Sequence, residues 1–156
     1  MPDAPARYVA VIGASQATDA DMRDAEDVGR LLASAGAIVI CGGRGGVMAA
    51  AAKGAASAGG TVVGLLPGEG RADANEWVTV ALPTGIGELR NGLIVRAAEA
   101  MIAVGGAYGT LSEIALGLSA GLEVHGLHTW EIEGVVAAAT PEQAVERALA
   151  AARARS

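Results

Sequence analysis

Two charged side chains, Arg90 and Glu113, are the residues in this sequence whose types and positions best suit chemistry. Glu113 ends a glycine-rich run, Val-Gly-Gly-Ala-Tyr-Gly-Thr-Leu-Ser-Glu, at residues 104–113. Glycine lets a backbone turn sharply near a ligand, and the start of a helix after such a turn favours an anion such as phosphate. A lone carboxylate beside a bound ribose could stabilise an oxocarbenium-like transition state or manage a proton. Arg90 could hold that carboxylate or the phosphate.

Glu113 also has a purely structural interpretation. The spacing Thr110-x-x-Glu113 matches a capping box, in which the two side chains satisfy free N–H groups at the start of a helix. A glutamate in that position needs no catalytic explanation. The residues alone leave both roles open, and the two roles can coexist.

Glycine and hydroxyl residues follow several predicted strands, at positions where a phosphate or a ribose could bind. Backbone amides would do most of this work, with hydroxyl groups and Arg90 contributing further hydrogen bonds. Neither the GxGxxG dinucleotide fingerprint nor the phosphate-loop lysine motif is present. The turns therefore favour a mononucleotide or a phosphorylated sugar. The predicted contact residues are Gly13, Ser15, Gly42, Gly43, Gly45, Gly46, Thr84, Asn91, Gly105, Gly106, Gly109 and Thr110.

Alternating strands and helices must position these turns. Short apolar runs predict strands at residues 8–12, 37–41, 61–66, 77–82, 100–104, 124–127 and 135–138. Helical spacing and capping residues predict a first helix that Thr18 or Asp19 caps and that runs to about residue 35. Further helices are predicted at 47–58, 87–99 and 114–120, and from Pro141 onward behind a Thr140–Gln143 capping box. The pattern predicts one α/β domain over residues 1–156. It would have a doubly wound, mainly parallel sheet of six or seven strands flanked by helices, a Rossmann-like fold. Such folds bind ligands beyond the carboxyl ends of the strands, where the strand order switches.

Other chemically interesting residues have weaker claims. Arg44 could touch a phosphate or be solvated, and Tyr108 could stack on a base or pack at a subunit contact. Cys41 ends a predicted strand and is expected to be buried rather than reactive. His125 and His128, three apart in a predicted strand, would point to opposite faces. We therefore expect no metal site.

Composition excludes several classes of function. The chain has 156 residues, a net charge of −6 and 3% aromatic residues, which argues against binding a nucleic-acid backbone or stacking single-stranded bases. No apolar run is long enough for a bilayer, and the first residues lack the pattern of a secretory signal. A single cysteine excludes an internal disulfide framework. We expect a cytoplasmic protein without membrane or nucleic-acid partners.

Taken together, the motifs resemble those of the LOG family of Rossmann-like proteins over most of the chain. The resemblance rests on Gly13-Ala14-Ser15, on Gly42-Gly43 to Gly46-Val47-Met48, on 59–64 with Pro67, on Pro83-Thr84-Gly85 with Arg90-Asn91, and on 106–113. It implies a phosphoribohydrolase, which cleaves a nucleoside 5′-monophosphate into base and ribose 5-phosphate. It also implies that Arg90 and Glu113 are the catalytic pair, with no cofactor required.

The sequence departs from the family motif at three positions. Asn91 replaces a lysine, Gly105 replaces a proline, and Ala107 replaces a glycine. The Cβ of Ala107 could crowd an approaching phosphate. The catalytic pair is thus present while its surroundings differ, so substrate binding could differ too.

The same motifs resemble the molybdenum-cofactor carrier proteins. This second resemblance implies a non-catalytic carrier or sensor of a phosphate-bearing pterin, molybdopterin being the first candidate ligand. Both classes are homodimers or homotetramers, and we expect the same here. The residues do not decide between a hydrolase and a carrier.

Overall fold

The computed structural model describes residues 4–155 and shows a seven-stranded, all-parallel sheet in the order β4-β3-β2-β1-β5-β6-β7. The strands are β1 Tyr8–Gly13, β2 Ile38–Cys41, β3 Val62–Leu66, β4 Val80–Pro83, β5 Ala100–Val104, β6 Val124–Leu127 and β7 Val135–Ala137. The helices are α1 Asp19–Ser34, α2 Val47–Ser57, α3 Arg90–Ala97, α4 Tyr108–Ser119 and α5 Pro141–Ala154. Short 3₁₀ turns cover Arg71–Asp73 and Gly87–Leu89. The predicted doubly wound, Rossmann-like α/β fold is confirmed.

The central strands divide the core into two layers. Along β1, Val9 and Val11 pack with α1, α2 and α5, whereas Ala10 and Ile12 pack with α3 and α4 on the other face. This alternation follows from the two-residue period of a strand. Because both faces are covered, β1 and β5 are apolar along nearly their whole length, as expected for parallel strands.

The order of the strands switches at β1, which pairs with β2 on one side and with β5 on the other. The pairing of β1 and β5 runs from Val9 and Ala100 to Gly13 and Val104. The loops after these two strands therefore leave the sheet side by side. A ligand is expected at this point in a doubly wound fold.

Two predicted caps are confirmed. The Thr18 hydroxyl accepts a hydrogen bond from the Asp21 N–H at 3.1 Å, which fixes the start of α1. The Thr140 hydroxyl accepts one from the Gln143 N–H at 3.1 Å, and the Gln143 side chain accepts one from the Ala139 N–H at 2.8 Å. Each cap uses an N–H group that the helix itself leaves unpaired.

Three predicted boundaries are wrong. The fourth strand begins at Val80 rather than at 77, because the Asn75 side chain accepts the Trp77 N–H and holds that residue in a turn. The predicted helix over 87–99 is a 3₁₀ turn followed by α3, which ends at Ala97 because Ala98 is extended. The helix predicted over 114–120 begins much earlier, at Tyr108, since Gly109 lies within the helix. No helix within residues 4–155 is long and apolar enough to cross a bilayer.

Candidate functional site

A cleft of about 540 Å³ lies beyond the carboxyl ends of β1 and β2 and beside the first turn of α4. Its lining includes most of the residues that the sequence singled out. Those predicted residues are Gly13, Ser15, Gly42, Gly45, Arg90, Asn91, Gly109, Thr110 and Glu113. The structure thus brings together four segments that are far apart in the chain. It also places the predicted catalytic pair in one cleft.

The structure does not place the other predicted contact residues in the cleft lining: Gly43, Gly46, Thr84, Gly105 and Gly106. The Thr84 hydroxyl donates to the Leu66 carbonyl oxygen at 2.7 Å. Gly46 and Gly105 have φ angles of 66° and 57°, which favour glycine. A side chain at Gly105 would meet the carboxylate of Asp21, and one at Gly46 would meet the backbone of Ser15. In the structure these residues shape the loops, and their contact with a ligand stays a prediction.

The guanidinium group of Arg90 is anchored to two strand ends. Its Nη1 donates to the carbonyl oxygens of Gly42 at 3.3 Å and Leu65 at 3.2 Å. Burial lowers the pKa of Arg90, and the negative charge of Glu113 opposes that shift. The group stays a cation at neutral pH because an arginine pKa is far above 7. Its position is fixed by backbone that is distant in the sequence.

Glu113 is buried on α4, with 8% of its surface exposed. Within residues 4–155, its carboxylate accepts no hydrogen bond and has no ion-pair partner within 4.0 Å. Burial raises the pKa of Glu113 to about 7, and the cation of Arg90 partly offsets this rise. A carboxyl group with this pKa can gain or lose a proton near neutral pH.

The capping interpretation of Glu113 is wrong. Because α4 begins at Tyr108, Thr110 is already the third helical residue, and Glu113 lies in the second turn. The Thr110 hydroxyl instead accepts the Ala107 N–H at 3.4 Å. Glu113 therefore faces the cleft for a reason other than helix capping.

Two helices start beside the cleft. Gly45 and Met48 flank the beginning of α2, and Gly109 and Thr110 belong to the first turn of α4. A helix start carries free N–H groups and the positive end of a dipole, so both suit an anion. Ala107, which replaces a glycine of the family motif, also lines the cleft.

Sequence reasoning missed part of the lining. Ile12 and Met48 give the cleft apolar surface, and Glu88 adds a second carboxylate. Met48 could have been found as an early residue of the helix that follows the 42–46 turn. The sequence left the role of Arg44 open, and in the structure this residue is exposed and lines the cleft.

Cys41 and the two histidines do not line the first cleft. Cys41 is buried, as predicted, and burial raises its pKa to about 11, so it is not a reactive thiolate. His125 is buried in β6 and His128 lies beyond the end of that strand, so the expectation of two histidines within one strand is wrong. Residues 4–155 contain no group of three side chains able to hold a metal ion.

A second cleft, of about 550 Å³, lies at the ends of β6 and β7. Trp130 lines it and stacks on Tyr108, with ring centroids 6.0 Å apart and an angle of 28° between the planes. Tyr108 is 82% exposed and is absent from the lining of both clefts. None of the predicted site residues lines this second cleft.

The chain is similar to several known proteins along nearly its whole length. An uncharacterised protein of Archaeoglobus fulgidus is 44% identical over 138 residues, which are 88% of this chain and 91% of that one. The molybdenum cofactor binding protein of Rippkaea orientalis superposes with a TM-score of 0.89 at 32% identity, covering 94% of this chain and 97% of that one. The molybdenum cofactor carrier protein of Chlamydomonas reinhardtii superposes with a TM-score of 0.86 at 30% identity, covering 94% and 98%.

A family model matches residues 6–154, almost the full described chain. Its description, the SLOG cluster4 family, agrees with the LOG-type motifs found in the sequence. The structural neighbours agree with the resemblance to molybdenum-cofactor carriers. The chain belongs to the SLOG cluster4 family.

Proposed function

We propose that this protein is a carrier that binds the molybdenum cofactor, a phosphorylated pterin, in the cleft at the end of β1 and β2. The observation that carries this proposal is the full-length likeness to the Rippkaea orientalis molybdenum cofactor binding protein, at a TM-score of 0.89 and 32% identity. The likeness covers 94% of this chain and 97% of that one.

The residues of the cleft fit such a cargo. Its volume of about 540 Å³ lies within the range of roughly 300–1,000 Å³ that is usual for small-molecule sites. At one end, the starts of α2 and α4, with the Ser15 hydroxyl and Arg44, would bind the phosphate. Elsewhere in the lining, Ile12 and Met48 offer apolar contacts for the pterin ring. The cofactor is the cargo of this site, and the chain contributes binding and shielding.

The cofactor content of the purified protein tests the proposal. Wild-type protein, made in cells that synthesise the cofactor, should contain molybdenum and pterin in near-equal amounts. Arg44→Glu should lose most of both, because it places a negative charge beside the phosphate. Arg30→Glu is the matched control, since Arg30 is exposed on α1, lies outside the cleft lining and pairs with the nearby Asp27. The proposal would be contradicted by wild-type protein that contains no pterin. It would also be contradicted if Arg44→Glu contained as much molybdenum and pterin as the Arg30→Glu control.

A second candidate function is hydrolysis of a nucleoside 5′-monophosphate. The observation that favours it is the presence of Arg90 and Glu113 in one cleft, with the pKa of Glu113 near 7. In this reaction the bond between the base nitrogen and ribose C1′ breaks. The oxygen of a water molecule bonds to C1′, and the base nitrogen gains a proton. Glu113 would stabilise the oxocarbenium-like sugar or manage a proton, and Arg90 would orient the substrate.

Base release from a panel of nucleoside 5′-monophosphates, including N6-substituted AMP, tests this second candidate. Hydrolysis by wild type that is lost in Glu113→Gln and in Arg90→Ala would support it. Folded wild-type protein that releases no base from any member of the panel would exclude this reaction for those substrates. The carrier proposal does not depend on either result.

We further propose that the protein is a homodimer formed through α3 and α4. This face exposes Leu89 by 79%, Leu93 by 43% and Leu116 by 44%. Glu88 precedes α3 and Arg96 lies in its last turn, so two antiparallel copies would bring opposite charges together. Light scattering should give a dimer for wild type and a monomer for Leu89→Asp, whereas Val136→Asp, at an exposed site on β7, should stay dimeric. A monomeric wild type would contradict this assembly.

A further inference from the structure

Two side chains of the cleft have hydrogen-bonding capacity that the protein itself does not use. Arg90 is held through Nη1, and no hydrogen bond within residues 4–155 uses its Nη2. The Glu113 carboxylate lies in the same cleft and accepts no hydrogen bond from those residues. A cation that can donate and a buried carboxylate that can accept are thus both available to a ligand.

Arg90 and Glu113 influence each other without direct contact. Each charge affects the other's pKa, yet no ion pair within 4.0 Å joins them in the described part of the chain. A direct ion pair would occupy hydrogen-bonding atoms of both side chains. Both groups line the cleft and keep hydrogen-bonding atoms that a ligand could use.

We infer that Arg90 and Glu113 together recognise the 2-amino-4-oxo edge that pterins and guanine share, and thereby select these rings over adenine and hypoxanthine. This inference rests on the proposed function, because it assigns the ring end of the same cleft. It gives Glu113 the role of a specificity residue.

The hydrogen-bonding pattern of this edge matches the two side chains. The edge presents an acceptor, O4, followed by two donors, N3–H and the 2-amino group. The guanidinium of Arg90 donates to O4, and the two carboxylate oxygens of Glu113 accept the two donors. Ile12 and Met48 also line the cleft and offer apolar contacts to the ring.

The competing rings leave the carboxylate unsatisfied. Adenine presents a donor followed by an acceptor, N1, and that acceptor would face the carboxylate. Hypoxanthine has the carbonyl acceptor and the ring N–H donor of this edge but lacks the amino donor. Because Glu113 is only 8% exposed, a ring seated against its carboxylate would limit the water that could replace a missing donor. A charged hydrogen bond lost in such a site weakens binding by about 10- to 100-fold.

Calorimetric binding of GMP, IMP and AMP tests the inference, because the three share ribose 5′-phosphate and differ only in the ring. Wild type should bind GMP at least about tenfold more tightly than IMP or AMP. Glu113→Gln should reduce the preference for GMP over IMP to within about threefold, because the amide offers only one acceptor oxygen. Glu146→Gln, which changes an exposed residue of α5, should keep the preference. Pterin and lumazine form a second pair, for which a preference for pterin of at least the same size is expected, because lumazine has a 2-oxo acceptor in place of the 2-amino donor.

Equal binding of GMP, IMP and AMP by wild type, or a preference that survives in Glu113→Gln, would overturn the inference. A wild-type protein that binds neither GMP nor pterin would also overturn the inference. These outcomes are distinguishable from failure of the carrier proposal. Purified protein that contains the cofactor but shows no ring preference would overturn only the role of Glu113. Ring preference in a protein that never contains the cofactor would overturn only the carrier.

Discussion

Replacing Glu113 with glutamine should make the stability of the protein less dependent on pH. Burial raises the pKa of this carboxyl from 4.5 to about 7, so the folded state favours its protonated form. The stability that goes with a raised pKa is fully present below about pH 4.5 and is lost as the pH rises through about 7. At about 1.4 kcal/mol for each tenfold change in proton affinity, the full loss is about 3 kcal/mol. Glutamine has a similar shape and no charge, so it avoids this loss.

Urea denaturation of wild type and Glu113→Gln between pH 5 and pH 8 measures this effect. The difference in free energy of unfolding, variant minus wild type, should grow by about 2 kcal/mol over that interval in favour of the variant. Comparing the two proteins removes the contribution of every other titrating group. Glu146→Gln should follow wild type at all pH values because Glu146 is exposed. A constant difference between Glu113→Gln and wild type would refute our account of Glu113 as a buried carboxylate without a hydrogen-bond donor.

Three further predictions follow from packing and ionisation. Gly54→Ala should lower the free energy of unfolding by about 1–3 kcal/mol in urea denaturation, because a Cβ there would overlap the Glu26 backbone where α1 and α2 touch; an unchanged stability would contradict that close packing. Cys41 should react with a thiol reagent much faster in urea than in the folded protein, because the folded protein buries the thiol and raises its pKa to about 11. Equal reaction rates in the two conditions would contradict the burial and the raised pKa. The preference for GMP over IMP should increase from pH 6 to pH 8 as Glu113 ionises, and a preference that decreases would contradict its ionised role.

The sequence predicts the architecture well because its signals are local. Apolar runs that end in glycine-rich turns identify the strands, and the order of strands and helices identifies the doubly wound fold. The boundaries that failed depend on single turns. The Asn75 side chain delays the start of β4, and Gly109 lies inside α4 although glycine usually weakens a helix.

The site could be located from the sequence, but its electrostatics could not. Arg90 and Glu113 were found from their place beside glycine turns. The anchoring of Arg90 depends on carbonyl groups of Gly42 and Leu65, which folding brings together from distant strands. The lack of a hydrogen-bond donor for Glu113 depends on how α4 packs, so only the structure distinguishes a buried carboxylate from a helix cap.

The most direct test of the central claim is a crystal structure of the protein loaded with molybdenum cofactor, with diffraction measured at the molybdenum absorption edge. The anomalous signal locates the metal independently of the shape of the electron density. Our account predicts a molybdenum peak in the 540 Å³ cleft, with the 2-amino-4-oxo edge of the pterin ring in contact with Arg90 and Glu113. A peak in the cleft beside Trp130, or cofactor bound elsewhere on the loaded protein, would contradict it.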